Sequence, residues 1–582
     1  MKGDALVILC SLFWALHIIF AGKFMKIFDI PMFYAALQAV FVATLSIISA
    51  YTFEDVVLSN ILLESSSIIY AGVLSGGIAF TLQMFAQKNI DEAPAAIIYS
   101  LEGVFAVIAA WIILNQILDI DNIIGCILIL IAVIFSQLAP STLLINEGGI
   151  NTVLNSAYAS AHWGWESVLR WSVYNGDFIS GAYWGKGGSI ESIWVQLMEF
   201  TFDANHASVR TLWPNHYNAI RDANVVLDNL GNESLSTDYV NLTTAEAKFI
   251  RGWSYVQLYS LFGPVPLHTS SSDEALKPRA TDAEMKTQIE SDLTDAMNVL
   301  PVSTDKFGKA TKGAAQGVLT KYYLNTRQWQ KAADMAKTII NSGNYALQAT
   351  FQDVFSFSNE GHNEMVWALP NDSGSGNKLM ALQSLTYPPS YPRPFSNNAV
   401  WAARTYMFDS FVDSFEAGDE RKNSIVQQWS TADGTPQEAY GFDQSFPAKF
   451  PFDPNSLAWR SGNDFPAVRY ADILLSAAEA MNEVSGPSQE AIDYINLVRA
   501  RAKISPLTLA GFTKESLRLA IIQERGWEFW HEGKRREYLL RHDMFISDAI
   551  ARGKSANENH KLYPIPQSEI DANEKLVQNP GY

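Results

Sequence analysis

The residues of this chain best suited to chemistry are aromatic. Tyr183 and Trp184 stand among Gly181, Gly185, Gly187 and Gly188. The run Tyr387-Pro-Pro-Ser-Tyr391-Pro-Arg393-Pro-Phe395 carries three rings on a backbone whose prolines exclude a helix. Trp194 and Trp401 add two indoles. Exposed rings of this kind suit sugars, because the C–H face of a pyranose is apolar and its hydroxyls need polar neighbours. Asp177, Arg393 and Asn398 are placed to be such neighbours. Each ring could instead fill a core, the reading favoured for Trp163, Trp165 and Trp171 within a helical stretch.

Catalytic constellations do not assemble, so the chain is read as a non-enzyme. His531-Glu532-Gly-Lys-Arg535 lacks the second histidine of a zinc-protease helix. Gly308-Lys309 is followed by Ala310 and has no glycine five residues before it, so it is not a phosphate-binding loop. No spacing of acids singles out a glycosidase pair. No cofactor motif and no metal set stands out. Cys10 and Cys126 are the only cysteines, and both lie in apolar runs. A net charge of −18 argues against a nucleic-acid partner, which would need cations against its phosphates.

The elements that position these residues fall into two parts, since 582 residues exceed one core. The chain changes character near residue 140. Before it lie five apolar segments of near membrane-spanning length: Ala5–Phe20, Pro31–Tyr51, Ser67–Phe85, Pro94–Leu114 and Asn122–Leu138. Lys23, Lys26 and Lys88 assign two of the loops to the cytoplasm, which puts the N-terminus outside and the exit of the fifth span inside. Glu102 lies in the fourth span. It is either a functional intramembrane carboxylate or an acid at a helix break pointing to water beside Gly103.

Thr81–Lys88, Ala93–Glu102 and Trp111–Asn115 resemble the repeat of EamA-type drug/metabolite transporters, of which five helices make one repeat. The likeness covers about residues 3–138. It implies half of a small-metabolite permease in contact with membrane lipid, since the family's transporters usually carry two repeats. Gly103 and Asn115 depart from the family's proline and acid.

From Ile150 onward the pattern is helical. Thr243-Thr-Ala-Glu246 and Thr281-Asp-Ala-Glu284 read as capping boxes opening helices. Ala314–Asn325 with Trp329–Ile340, and Tyr470–Glu483 with Glu490–Ala502, read as TPR-like helix pairs. Between them Gly361–Pro466 reads as a long loop region, a length that points to function. Several runs resemble the SusD/RagB family of nutrient-binding outer-membrane lipoproteins from Bacteroidota. They are Glu246–Tyr255, Leu261–Leu267, Gly308–Ala315, Val468–Leu475, Glu524–Phe529, Glu532–Arg536, Tyr563–Pro566 and Asn579–Tyr582. That likeness covers about residues 148–582. It implies a non-catalytic binder of an oligosaccharide or other nutrient that serves as lid to a SusC-like TonB-dependent transporter. Arg251, Arg469, Glu528 and Glu532 are expected to pair between helices rather than touch ligand.

The expected fold class is all-α: a five-helix transmembrane bundle, then a TPR-like α-helical SusD-type domain with long loop insertions. The divisions are 1–140, a junction at 141–150, and 151–582. The resemblance places the second part at the outer membrane, whereas the apolar spans imply inner-membrane insertion. The junction reads as the seam of two joined open reading frames. Two alternatives stay open: a drug/metabolite transporter with an accessory soluble domain, and a TPR-like scaffold for a peptide.

Overall fold

The computed structural model describes residues 31–54, 56–79, 81–82, 101–114, 125–130, 146–162, 176–177, 190–374, 382–400 and 405–582, and singly 17, 20, 123 and 144. The chain divides into two compact units, Met1–Leu144 and Ile145–Tyr582.

In the N-terminal unit, α1 (Pro31–Phe53) is a 23-residue helix free of charge, with most of its apolar side chains exposed. At about 1.5 Å per residue it is about 34 Å long, enough for a hydrocarbon core of about 30 Å. Among the described residues it is the one helix long and apolar enough to cross a bilayer. Ser65–Ala79 and Val104–Ile113 are apolar but shorter. Within the expected third span, the α-helix Ser65–Ile69 continues as a wider π-helix, Tyr70–Ala79. Most of the expected first and fifth spans lies outside the described residues. Glu102 is exposed in the first turn of α2 (Glu102–Leu114). A carboxylate is favoured there by the positive end of the helix dipole.

The C-terminal unit is mostly helical. Its main helices are α3 (Glu147–Ala161), α4 (Ala207–Asp228), α5 (Thr237–Phe262), α6 (Asp282–Val299), α7 (Lys312–Asn325), α8 (Trp329–Asn341), α9 (Tyr470–Ser485), α10 (Gln489–Arg501), α11 (Lys514–Phe529) and α12 (Arg535–Arg541). Each helix from α3 to α10 packs on the next, and α11 closes on α9. Polar caps set the starts. Ser236, Thr311 and Ser488 each accept from the backbone N–H three residues on, and Thr281 with Glu284 forms a full capping box. The expected box at Thr243 does not form. Ser236 starts α5 a full turn and more earlier, so Thr243 is a buried residue inside the helix. Gly263 ends α5 at φ +73°, where a Cβ would come within 3.1 Å of Leu562.

The 361–466 insertion is not plain loop. It forms three antiparallel pairs of short strands: β1 (Met365–Leu369) with β6 (Phe465–Arg469), β2 (Ile425–Val426) with β5 (Phe446–Pro447), and β3 (Gln428–Ser430) with β4 (Pro436–Glu438). β6 leads straight into α9, and this ties the insertion to the helical core.

Beneath that join lies a buried charge network. Arg469 donates through Nε and Nη2 to both oxygens of Glu532 at 2.9 and 2.8 Å. Its Nη1 reaches Glu528 at 2.6 Å and Glu364 at 3.0 Å. Arg421 bridges Asp419, Glu524 and Glu528. Arg499, Arg501 and Lys449 complete the set on Glu524, Glu364 and Glu532. Arg251 likewise pairs with Asp292 at 2.7 Å between α5 and α6. All four residues expected to pair are paired: Arg251 with Asp292 and Glu528 with Arg501 between helices, and Arg469 in β6 with Glu532 in the turn after α11. Buried charges persist only when paired in this way.

Candidate functional site: an aromatic cleft

Four prolines keep residues 387–395 out of regular structure, so the segment turns on its own hydrogen bonds. The Tyr391 N–H donates to the Pro388 carbonyl at 2.9 Å, and Arg393 Nη1 donates to the Asn398 carbonyl at 3.0 Å. These bonds present Tyr391 half-buried and Arg393 and Phe395 exposed.

The facing wall is the β3–β4 hairpin. Strand alternation turns Trp429 and Gln437, which are paired, to its inner side. Its loop closes through Thr431 N–H to Thr435 O and Gly434 N–H to Thr431 O, both 2.9 Å. Gly434 takes φ +86°, a conformation glycine adopts without steric cost. Asp433 is exposed at the tip. The Thr431 hydroxyl and the Thr435 N–H donate to its carboxylate and hold its pKa below the usual range, so it stays ionised.

Between these walls lies a cleft of about 760 Å³, lined by Tyr391, Arg393, Phe395, Thr431, Asp433 and Gln437 among others. Beneath that lining, as a floor on which Tyr391 rests, lies a second aromatic core of Tyr387, Tyr406, Phe446 and Phe452. Tyr391 sits edge-on to Phe446 at 5.6 Å and stacked over Phe452 at 6.3 Å. Tyr387 contacts Phe452 at 4.3 Å. Burial raises the pKa of both Tyr387 and Tyr391, so their hydroxyls stay neutral.

The cleft unites two of the sequence candidates, Tyr391 and Arg393. Three others are corrected. Tyr387 is 4% exposed and belongs to the floor, because residues from β5 and its sequel close over it. Asp177 is 2% exposed, and its carboxylate accepts the His531 N–H at 2.6 Å, so it anchors the turn between α11 and α12. Trp194 is 4% exposed and fills the main core. Tyr183, Trp184 and Trp401 lie outside the described residues. Asn398, considered as a sugar contact, is buried and donates to the Asp453 carbonyl. Thr431, Asp433 and Gln437 were not anticipated. Asp433-Gly434 between two short strands is a hairpin signal that pointed to them.

Chemically the cleft offers an aromatic face, one cation, one anion and an amide. A glycosidase needs two carboxyls about 5–9.5 Å apart. Asp433 is the one carboxylate among the described lining residues. These groups make a surface suited to holding a ligand on a helical scaffold.

Comparison with known proteins agrees with that class. Residues 429–582 match the SusD family, residues 176–324 match the family described as starch-binding associating with outer membrane, and residues 1–138 match the EamA-like transporter family. SusD-like protein P2 of Formosa agariphila is 27% identical over 76% of this chain and 94% of that protein. The starch-binding protein SusD of Bacteroides thetaiotaomicron is 24% identical over 58% and 72%. Among solved structures, surface glycan-binding protein A from Bacteroides uniformis superposes with TM-score 0.65 at 23% identity, covering 75% of this chain and 99% of that one. A laminarin-binding SusD-like protein gives 0.64 at 24%, covering 75% and 100%. The C-terminal part of the chain is similar to the SusD-like proteins, and its N-terminal part to the EamA-like transporters. The covered share, 75%, matches the proportion of the chain in residues 145–582, and nearly all of each solved chain is covered.

Proposed function

We propose that residues 145–582 bind a neutral glycan at the Tyr391 cleft and do not transform it. The observation that carries this is the pairing of one exposed aromatic face with opposed Arg393 and Asp433. A pyranose stacks its C–H face on a ring, donates hydroxyls to a carboxylate and accepts from a guanidinium or amide. Equal and opposite charges favour an uncharged ligand, and the cleft volume lies in the range of about 300–1,000 Å³ usual for ligand sites. Relatives described as binding starch and laminarin support the ligand class. Tyr183, Trp184 and Trp401 remain proposed contributors to the same surface.

The unit would hand its glycan to a SusC-like TonB-dependent transporter at a membrane surface. The N-terminal unit would act in a membrane as half of a small-metabolite permease, a role that α1 supports by its length and apolar exposure. A glycan array probed with residues 145–582, wild type against Tyr391→Ala, tests the binding proposal. Neutral oligosaccharides should be retained by the wild type and lost from the variant. Retention that is indifferent to Tyr391, or release of cleaved products, would sink it.

A further inference from the structure

One wall of the aromatic cleft is fastened to the protein at few points. Residues 428–438, the β3–β4 hairpin, bring Thr431, Asp433 and Gln437 to the lining. β3 and β4 pair only with each other, over three residue pairs. A lone hairpin of that size is marginal in water. Its roots are held. The Gln427 carbonyl accepts the Ala439 and Tyr440 N–H groups at 2.8 and 3.1 Å, and the Tyr440 hydroxyl donates to Asp413 at 2.8 Å. Beyond the roots the bonds turn inward. Thr431 donates to Asp433 and to the Thr435 carbonyl, and Gln437 donates to the Pro436 carbonyl. Among the described residues, 428–438 form no hydrogen bond or ion pair with the rest of the protein.

A single side chain crosses the gap. Strand alternation exposes Gln428 and Ser430 and turns Trp429 inward. Among the described residues, Trp429 is the one member of the hairpin packed on the aromatic floor. Its ring meets Phe446 edge-on at 5.5 Å and Tyr391 at 6.3 Å. Both separations lie in the range of about 4.5–7 Å at which aromatic pairs attract. Tyr391 is held independently, by Phe446 and Phe452. Loss of the indole therefore releases the hairpin and leaves the Tyr391 face in place.

We propose that Trp429 is a positioning residue for the cleft: its indole is the strut that holds the hairpin, and with it the Asp433 carboxylate, opposite the Tyr391 face. This rests on the glycan reading of the cleft. Its consequence is a coupling: the affinity that Asp433 supplies depends on Trp429, and the affinity that Tyr391 supplies does not.

The test is a double-mutant cycle read by calorimetry on residues 145–582, which enclose their own core and cover nearly the whole of solved chains. The probes are laminarihexaose, maltohexaose, cellohexaose, mannohexaose and xylohexaose. For a probe that binds, Asp433→Asn should weaken affinity roughly ten- to a hundredfold in the wild type and less than about threefold in Trp429→Ala. Trp429→Phe keeps a ring on Phe446 and should restore most of the Asp433 effect. Tyr391→Ala should weaken binding in either background. An Asp433→Asn loss that is equal with and without Trp429, while Tyr391→Ala abolishes binding, would overturn the strut alone. Indifference to Tyr391→Ala, or no binding by any probe, would overturn the cleft reading and the strut with it. Should Trp429→Ala fail to fold, hydrogen exchange of the wild type decides. The amides of 428–438 should exchange faster than those of β1 and β6 and slow when the probe binds, and exchange there that ignores the probe would overturn the proposal.

Discussion

Replacing Arg469 with methionine should cost the C-terminal unit more stability than any surface change. The network around it balances Arg421, Lys449, Arg469, Arg499 and Arg501 against Glu364, Asp419, Glu524, Glu528 and Glu532, all nearly or fully buried. Arg469→Met leaves four cations to hold five carboxylates. Each stranded acid keeps at least one other cation: Arg501 for Glu364, Arg421 and Arg501 for Glu528, and Lys449 for Glu532. The loss is therefore one uncompensated buried charge, about 3–5 kcal/mol. Urea unfolding of residues 145–582 at pH 7 reads this as a lower midpoint at unchanged slope. Pairing Arg469→Met with Glu532→Gln restores the charge balance, so the double variant should lose less than the sum of the singles. A single-variant loss under about 1 kcal/mol, the scale of an exposed pair, would refute the reasoning.

Acid should unfold the unit through its buried ion pairs, both this network and the Arg541–Glu479 pair. Despite burial, the arginines beside Glu528 and Glu479 hold both carboxyls well below the ordinary range. Depressed folded pKa values give stability that is complete above the unfolded carboxyl value, about 4.3, and lost as pH falls below it. A circular-dichroism titration that is flat from pH 7 to pH 3 would contradict this. Asp464 behaves oppositely, since burial raises its pKa to about 6. Asp464→Asn should therefore stabilise above pH 6, and the gain should shrink as pH falls toward 4; a pH-independent gain would contradict that cause. In the cleft, Asp433→Asn and Arg393→Met should each weaken oligosaccharide affinity by roughly ten- to a hundredfold in calorimetry, the worth of one hydrogen bond to a charged group. If Arg393→Met instead abolishes binding, the ligand is anionic.

The helical frame was legible because its signals are local. Thr281 and Glu284 lie within one turn, and the pairs at 312–341 and 470–501 differ from expectation by one or two residues at their ends. The strand pairs were not legible, since Met365 finds Arg469 across more than a hundred residues. The site was half legible for the same reason. Proline chemistry marked 387–395, but which tyrosine faces outward depends on Phe446 and Phe452, brought in by β5. Asp177 looked like a sugar contact because nothing local shows that His531 requires it. Thr243 looks like a cap because Glu246 stands three residues on, whereas the true cap Ser236 has Tyr239 at that place.

The most direct test is a crystal structure of residues 145–582 soaked with the tightest oligosaccharide from the array. An intact sugar ring should lie within about 4 Å of the Tyr391 face, with its hydroxyls on Asp433 and Arg393. A glycan seated away from the 387–395 segment, or a cleaved one, would contradict the account.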